Sequence, residues 1–397
     1  MREKIVWILG AGFSRHLGGP LLGEIFTPAS KGNLEARYPL NDYPRLGGPT
    51  ASLIRSLYRF GRGLSVTVRG GIEVQGETLW GDAEEFLEYV DTATAEGAGS
   101  SPEWRRLSPL VDRFRPVSVP ADVGRPERLG ATARRLLAAE CSAFLRSEGV
   151  RGERWIPYLE WWKRLTPDRE HTIITFNYDL VIESLDSQLK KAQFVHPTER
   201  QDGPAPDQVP VIKLHGSVDW KRAQAEGAAA KYEIRQRPDF AVTCEDNELA
   251  IATPGLTKHG LVSGDFRYLW QRAGEALATA DAVAFVGYRF PPTDSAALWE
   301  ILGAIAKNNS RHLALHTVLG PNSQDESRLH SLLRFPMRDK RRLDTASLSV
   351  DDRKRVGQGG LQGDPLYTLV SQGLWAQDFL LLAHPHEISQ AYLVQWR

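Results

Sequence analysis

Three short stretches carry residue types that could do chemistry. In GAGFSRHLGG, Gly10 and Gly12 flank Ala11 and are followed by Phe13 and Ser14. Glycine lets backbone N–H groups converge on a phosphate with no Cβ in the way, and Ser14 falls near the start of the next element. A plain strand-to-helix turn would use the same residues, and Arg15 occupies the position where a dinucleotide fingerprint wants a third small residue. In TFNYDLVIE, the Asn177 side chain can donate and accept hydrogen bonds at once. Asparagine is also a favoured cap for the helix that starts there. In KLHGSVDW, His215 offers an imidazole that titrates near neutrality, as a general base requires, although a single histidine can equally be a structural one.

Other candidates have simpler explanations. Asp294 in VGYRFPPTD precedes a helical pattern and reads as its N-terminal cap. Glu84 and Glu85 in WGDAEEFLEYVD fit a solvated helix start, and RDKRR at 338–342 fits a solvated charged face. HPH at 384–386 lacks a third ligand nearby, so no metal is assigned. The Trp-dense WIPYLEWWKRL has the spacing of a core or oligomer seam. No Walker A pattern is present.

The elements that must position these residues are legible as apolar runs. KIVWILGAG, TIITFNYD, PVIKLHGS, DAVAFVGY and HLALHTVLGPN are continuous rather than alternating, as in strands buried on both faces of a parallel sheet. YDLVIESLDSQLKKA, RYLWQRAGEALATA and TDSAALWEILGAIAKN between them have helical spacing. The expected fold is therefore α/β, a Rossmann-like doubly wound parallel sheet, with its ligand at the carboxyl ends of the strands. Residues of about 33–165 read as a large helical insertion, with the Pro- and Gly-rich SPLVDRFRPVSVPADVGRPERLG as a connection inside it. The catalytic domain would span 1–335. A C-terminal extension, 336–397, would begin as a solvated loop or helix and then pack on the body or form an oligomer contact.

Composition narrows the function classes. The chain has 397 residues, 42% hydrophobic and 25% charged, with 49 basic and 49 acidic side chains. That balance removes the basic excess typical of a nucleic-acid binder. Two cysteines, Cys141 and Cys244, form neither a zinc ribbon nor a disulfide framework. With no signal peptide or membrane span at the N-terminus, a cytoplasmic location is expected.

GAGFSRHLGGPLL, TFNYDLVIE, KLHGSVDW and VGYRFPPTD occur in that order, each at the end of an expected strand. Together they resemble the sirtuin-like NAD-consuming domains of bacteria, above all the antiphage effector branch. The resemblance implies that NAD is the substrate and that Asn177 and His215 are catalytic. It also implies that Gly10, Ala11, Gly12, Phe13, Ser14, Asp179, Gly287, Tyr288 and Asn322 contact the dinucleotide. Sirtuin deacylases carry four zinc-binding cysteines, which this chain lacks. Water is then the expected acceptor, giving an NAD+ hydrolase that releases nicotinamide and ADP-ribose. Homo-oligomerisation and control by a HerA-type ring ATPase or a short Argonaute are further implications. The rival readings are a module that binds NAD or ADP-ribose without turnover, and a deacylase, which the cysteine count disfavours.

Overall fold

A computed structural model describes residues 2–68, 71–95, 101–115, 118–145, 150–200, 203–205, 207–223, 231–234, 237, 239–245, 247–252, 264–291, 294–321, 323–342 and 366–390. Its centre is a parallel sheet. The strands are β1 (Lys4–Leu9), β2 (Glu170–Thr175), β3 (Ala192–Phe194), β4 (Val209–Lys213), β5 (Ala282–Val286), β6 (His312–Val318), β7 (Arg341–Arg342) and β8 (Leu366–Ser371). They lie in the order β7-β8-β6-β5-β1-β2-β4-β3, every neighbouring pair parallel. The chain leaves β1 toward β2 on one side, then returns past β1 to lay β5 and β6 on the other. This is the doubly wound α/β fold, and β1/β5 is its switch point, where a crevice opens beyond the strand ends.

Alternation along β1 explains why its run is apolar throughout. Ile5, Trp7 and Leu9 face one layer, with Tyr158, Trp161 and Phe379, while Val6 and Ile8 face the other, with Leu269, Trp270 and Ile301. Both faces are covered by helices, so neither side chain parity can be polar. The Trp-dense segment becomes the helix Ile156–Arg164, and its Trp161 meets Trp7 edge-on with centroids 5.3 Å apart. It belongs to the core of the sheet.

The insertion forms a core of its own. The helices Pro49–Gly61, Ala83–Ala95, Pro102–Phe114 and Pro126–Ala143 bury Leu57, Phe86, Leu107 and Leu136 together. Leu180 and Val218, next to the TFNYD and KLHGS motifs, join the same cluster. The insertion therefore rests on the loops that carry Asn177 and His215. The expected connection begins inside a helix instead: Leu107, Val111 and Phe114 make a buried stripe at helical spacing, and Pro109 is accommodated within Pro102–Phe114.

The C-terminal segment is not an appendage to a finished domain. β8 pairs with β6 over Leu366–Ser371 and buries Leu366 and Tyr367. Glu3, at the threshold of β1, accepts hydrogen bonds from Ser389 and Gln390 as well as from Arg169. The boundary expected at residue 335 thus falls inside the sheet. Residues 343–365, expected as a loop or helix, lie outside the described residues. Among the described residues no helix is long and apolar enough to cross a membrane.

Candidate active site

Turns from the ends of β1, β2, β4, β5, β6 and β8 converge on one cleft of about 260 Å³. The insertion closes its remaining side with Glu84, Leu87, Leu137 and Cys141. Gly10, Ala11, Gly12, Ser14, Asn177, Asp179, His215, Gly287 and Tyr288 all line it. Phe13 does not. Its ring is buried against Tyr158 and Trp161, and its carbonyl accepts from the Tyr158 hydroxyl at 2.6 Å, so it anchors the turn from below. Asn322 lies outside the described residues, although Gly320 and Ser323 beside it reach the cleft.

The glycines have a definite task. A Cβ on Gly10 would stand 2.5 Å from the Gly287 carbonyl oxygen, one on Gly12 2.7 Å from Gly287 Cα, and one on Gly287 2.4 Å from the Gly12 carbonyl carbon. Gly287 also has φ +67°, which favours glycine. The two turns touch backbone to backbone. Their N–H groups are used in that contact: Gly10 donates to Val286 O and Gly12 to Gly287 O, each at 3.1 Å, while Phe13 donates to Gly10 O. Instead of aiming Gly10 and Gly12 N–H groups at a phosphate, the glycine pattern brings the β1 and β5 walls together.

Asn177 is fixed by its amide nitrogen, which donates to Gly10 O at 2.9 Å and to Ser14 Oγ at 3.4 Å. It does not cap the following helix. The cap position is Leu180, which has no side-chain cap hydrogen bond, and Asp179 Oδ1 accepts from Val181 N, the first helical residue, at 3.1 Å. The Asn177 amide is therefore held at one end by the β1 turn and lines the cleft. Ser14 also hydrogen-bonds the Asp179 carboxyl; burial raises that group's pKa, and Lys213 and these hydrogen bonds oppose the shift. Lys213, buried at the end of β4, donates to Asp179 O at 2.6 Å and to Glu183 Oε1 at 2.8 Å. It ties the Asn177 loop to the strand that delivers His215.

His215 is 5% exposed, enclosed by Phe176, Tyr178 and Trp270 with ring centroids 5.0, 6.1 and 6.4 Å away. Its Nε2 lies 3.4 Å from Asp294 Oδ2. Asp294 does cap the helix Ser295–Ala306, through Oδ1 and Ala297 N at 3.3 Å. Its other oxygen faces His215 and accepts from the Tyr288 hydroxyl at 3.3 Å. Burial, with the Asp294 and Glu84 carboxylates adding to it, holds the Tyr288 phenol protonated far above its ordinary range. Tyr288 stacks flat on Phe176, centroids 4.0 Å apart. A cap signal had hidden a carboxylate that also orients an imidazole. Of the acidic pair, Glu84 is buried in the cleft wall, whereas Glu85 accepts from Gly81 N on the surface.

Charged and polar groups of opposite character thus meet in an aromatic enclosure: an amide, an imidazole with its carboxylate, and a protonated phenol. That set can hold a water, accept its proton and favour positive charge nearby. Among the described residues no group of three or more His, Cys, Asp or Glu side chains could hold a metal ion. Residues 171–334 match the family model of the SIR2-like domain. None of the curated proteins matches the chain. The match runs from β2 through β6 and so contains Asn177, His215 and Asp294, while the glycine turn, the insertion and β8 lie outside it.

Proposed function

From the premise that residues 171–334 form a SIR2-like, sirtuin-related and hence NAD-linked domain, we propose that the chain is an NAD+ hydrolase. The observation that carries this reading is the opening of the Asn177 amide and the Asp294-backed His215 imidazole onto one cleft at the strand ends. A dinucleotide binder without turnover has no use for both.

The reaction breaks the bond between the nicotinamide nitrogen and the ribose carbon, and the bonding pair leaves with the ring. The sugar passes through an oxocarbenium-like state, as in glycoside hydrolysis. Asn177, immobilised by Gly10 and Ser14, would orient a water and a ribose hydroxyl. His215 would take the proton that the attacking water loses, with Asp294 holding the ring. The acidic side chains Glu84 and Asp179 in the walls would favour positive character on the sugar when ionised. The products would be nicotinamide and ADP-ribose.

The wider proposal is that this hydrolase depletes NAD as the effector of a bacterial antiphage system, held in check by self-assembly or a partner. The order of the four motifs and the lack of cysteines for a zinc ribbon support it. Purified protein incubated with NAD and assayed for nicotinamide release tests the chemistry. Asn177→Ala and His215→Ala should each lower turnover by about 100-fold or more while the circular dichroism spectrum is kept. Full activity in both variants would remove them from the catalytic role.

A further inference from the structure

The chemistry above leaves one prominent side chain of the cleft unused. Trp375 precedes the helix Ala376–Leu382 and is 54% exposed, yet it lines the cleft. Its ring lies against the turn leaving β6. A Cβ on Gly320, where φ is +91°, would stand 2.4 Å from Trp375 Cζ3, so only glycine lets the indole settle there. Gly320 N–H donates to Leu374 O at 3.0 Å, which ties the two segments together. The indole is packed against main chain at Gly320 and still half exposed at the cleft.

Its place along the cleft is informative. His215 follows β4 and Gly320 follows β6, with β2, β1 and β5 between those strands. Four strand spacings of about 4.8 Å put these strand ends roughly 19 Å apart, and the His215 imidazole spans part of that distance to reach Asp294, beyond β5. A dinucleotide lying along the strand ends, with its reacting sugar at His215, would extend its second heterocycle toward β6 and β8. Ser323 and Asp325 also line the cleft after β6 and offer partners for ribose hydroxyls.

We propose that Trp375 is the stacking platform for the purine base of the dinucleotide, so that the segment beyond the SIR2-like match completes the binding site. The nature of the ligand rests on the hydrolase reading. Stacking on an indole face needs no hydrogen-bond readout and suits a planar base. Trp299 is more exposed, at 73%, but does not line the cleft, which makes it the matched control.

The test is titration of the full chain with ADP-ribose, followed by calorimetry and by tryptophan emission. Wild type and Trp299→Phe should bind with quenching. Trp375→Phe should keep affinity within about threefold and lose most of the quench, and Trp375→Ala should bind about tenfold or more weakly. Unchanged affinity in Trp375→Ala, or no saturable binding by wild type, overturns the assignment. Binding that depends on Trp375 in a protein that releases no nicotinamide would uphold it and sink the hydrolase reading instead.

Discussion

Asp294 shows how one side chain can serve two masters. One oxygen closes a helix terminus and the other faces His215 and Tyr288. Asparagine is as good a cap as aspartate but brings no charge to the imidazole. Asp294→Asn should therefore melt within a few degrees of wild type and lower kcat by about tenfold or more, with KM little changed. A variant with wild-type kcat would reduce Asp294 to its cap. The sequence pattern PPTD announces the cap because capping is local. The contact with His215 joins the ends of two different strands, and no spacing along the chain encodes it. Phe13 failed for a related reason: the turn motif identifies the backbone path but not which side of it each side chain takes. Asn177 went the other way: its amide is held by Gly10 and Ser14 at the cleft and not at the helix start.

At the scale of elements, the strands with long apolar runs were readable because burial on both faces removes any polar parity. β3, of three residues, and β7, of two, carry too little sequence to show a pattern. β6 contains a feature that hydrophobicity alone would miss. His316 is fully buried in it, with Nε2 2.9 Å from Ile388 O and Nδ1 2.8 Å from the Gln372 amide nitrogen. Burial lowers its pKa to about 4, so the folded strand holds it neutral. The unfolded chain then binds the extra proton first, and the stability this group supports is lost as pH falls from about 6.5 toward 4. Comparing urea unfolding of wild type and His316→Gln across that window isolates the effect from the carboxylates. The wild-type advantage should shrink with acidification by roughly 3 kcal/mol in total. A difference independent of pH would mean that His316 is not held neutral.

The whole molecule is assembled from segments distant in sequence. β1 opens the sheet, the insertion intervenes before β2, and β8 arrives last to pair with β6. The apolar tail that begins with β8 was expected to pack on the body, but not as a strand of the sheet, because a lone strand's partner is not written in its own residues. A chain ending at residue 335 would lose β7, β8 and Trp375, and would expose the edge of β6. We expect it to be insoluble or to lack a cooperative melt, measured by soluble yield and thermal unfolding. A well-folded truncated protein would restore the boundary to where the strand pattern placed it. The contact of Gly10 and Gly12 with Gly287 joins the two halves of this sheet at its switch point. Neither partner has a side chain left to give up. A substitution on one wall therefore has no compensating reduction available on the other, and suppressors of such a lesion must act by displacing a whole strand.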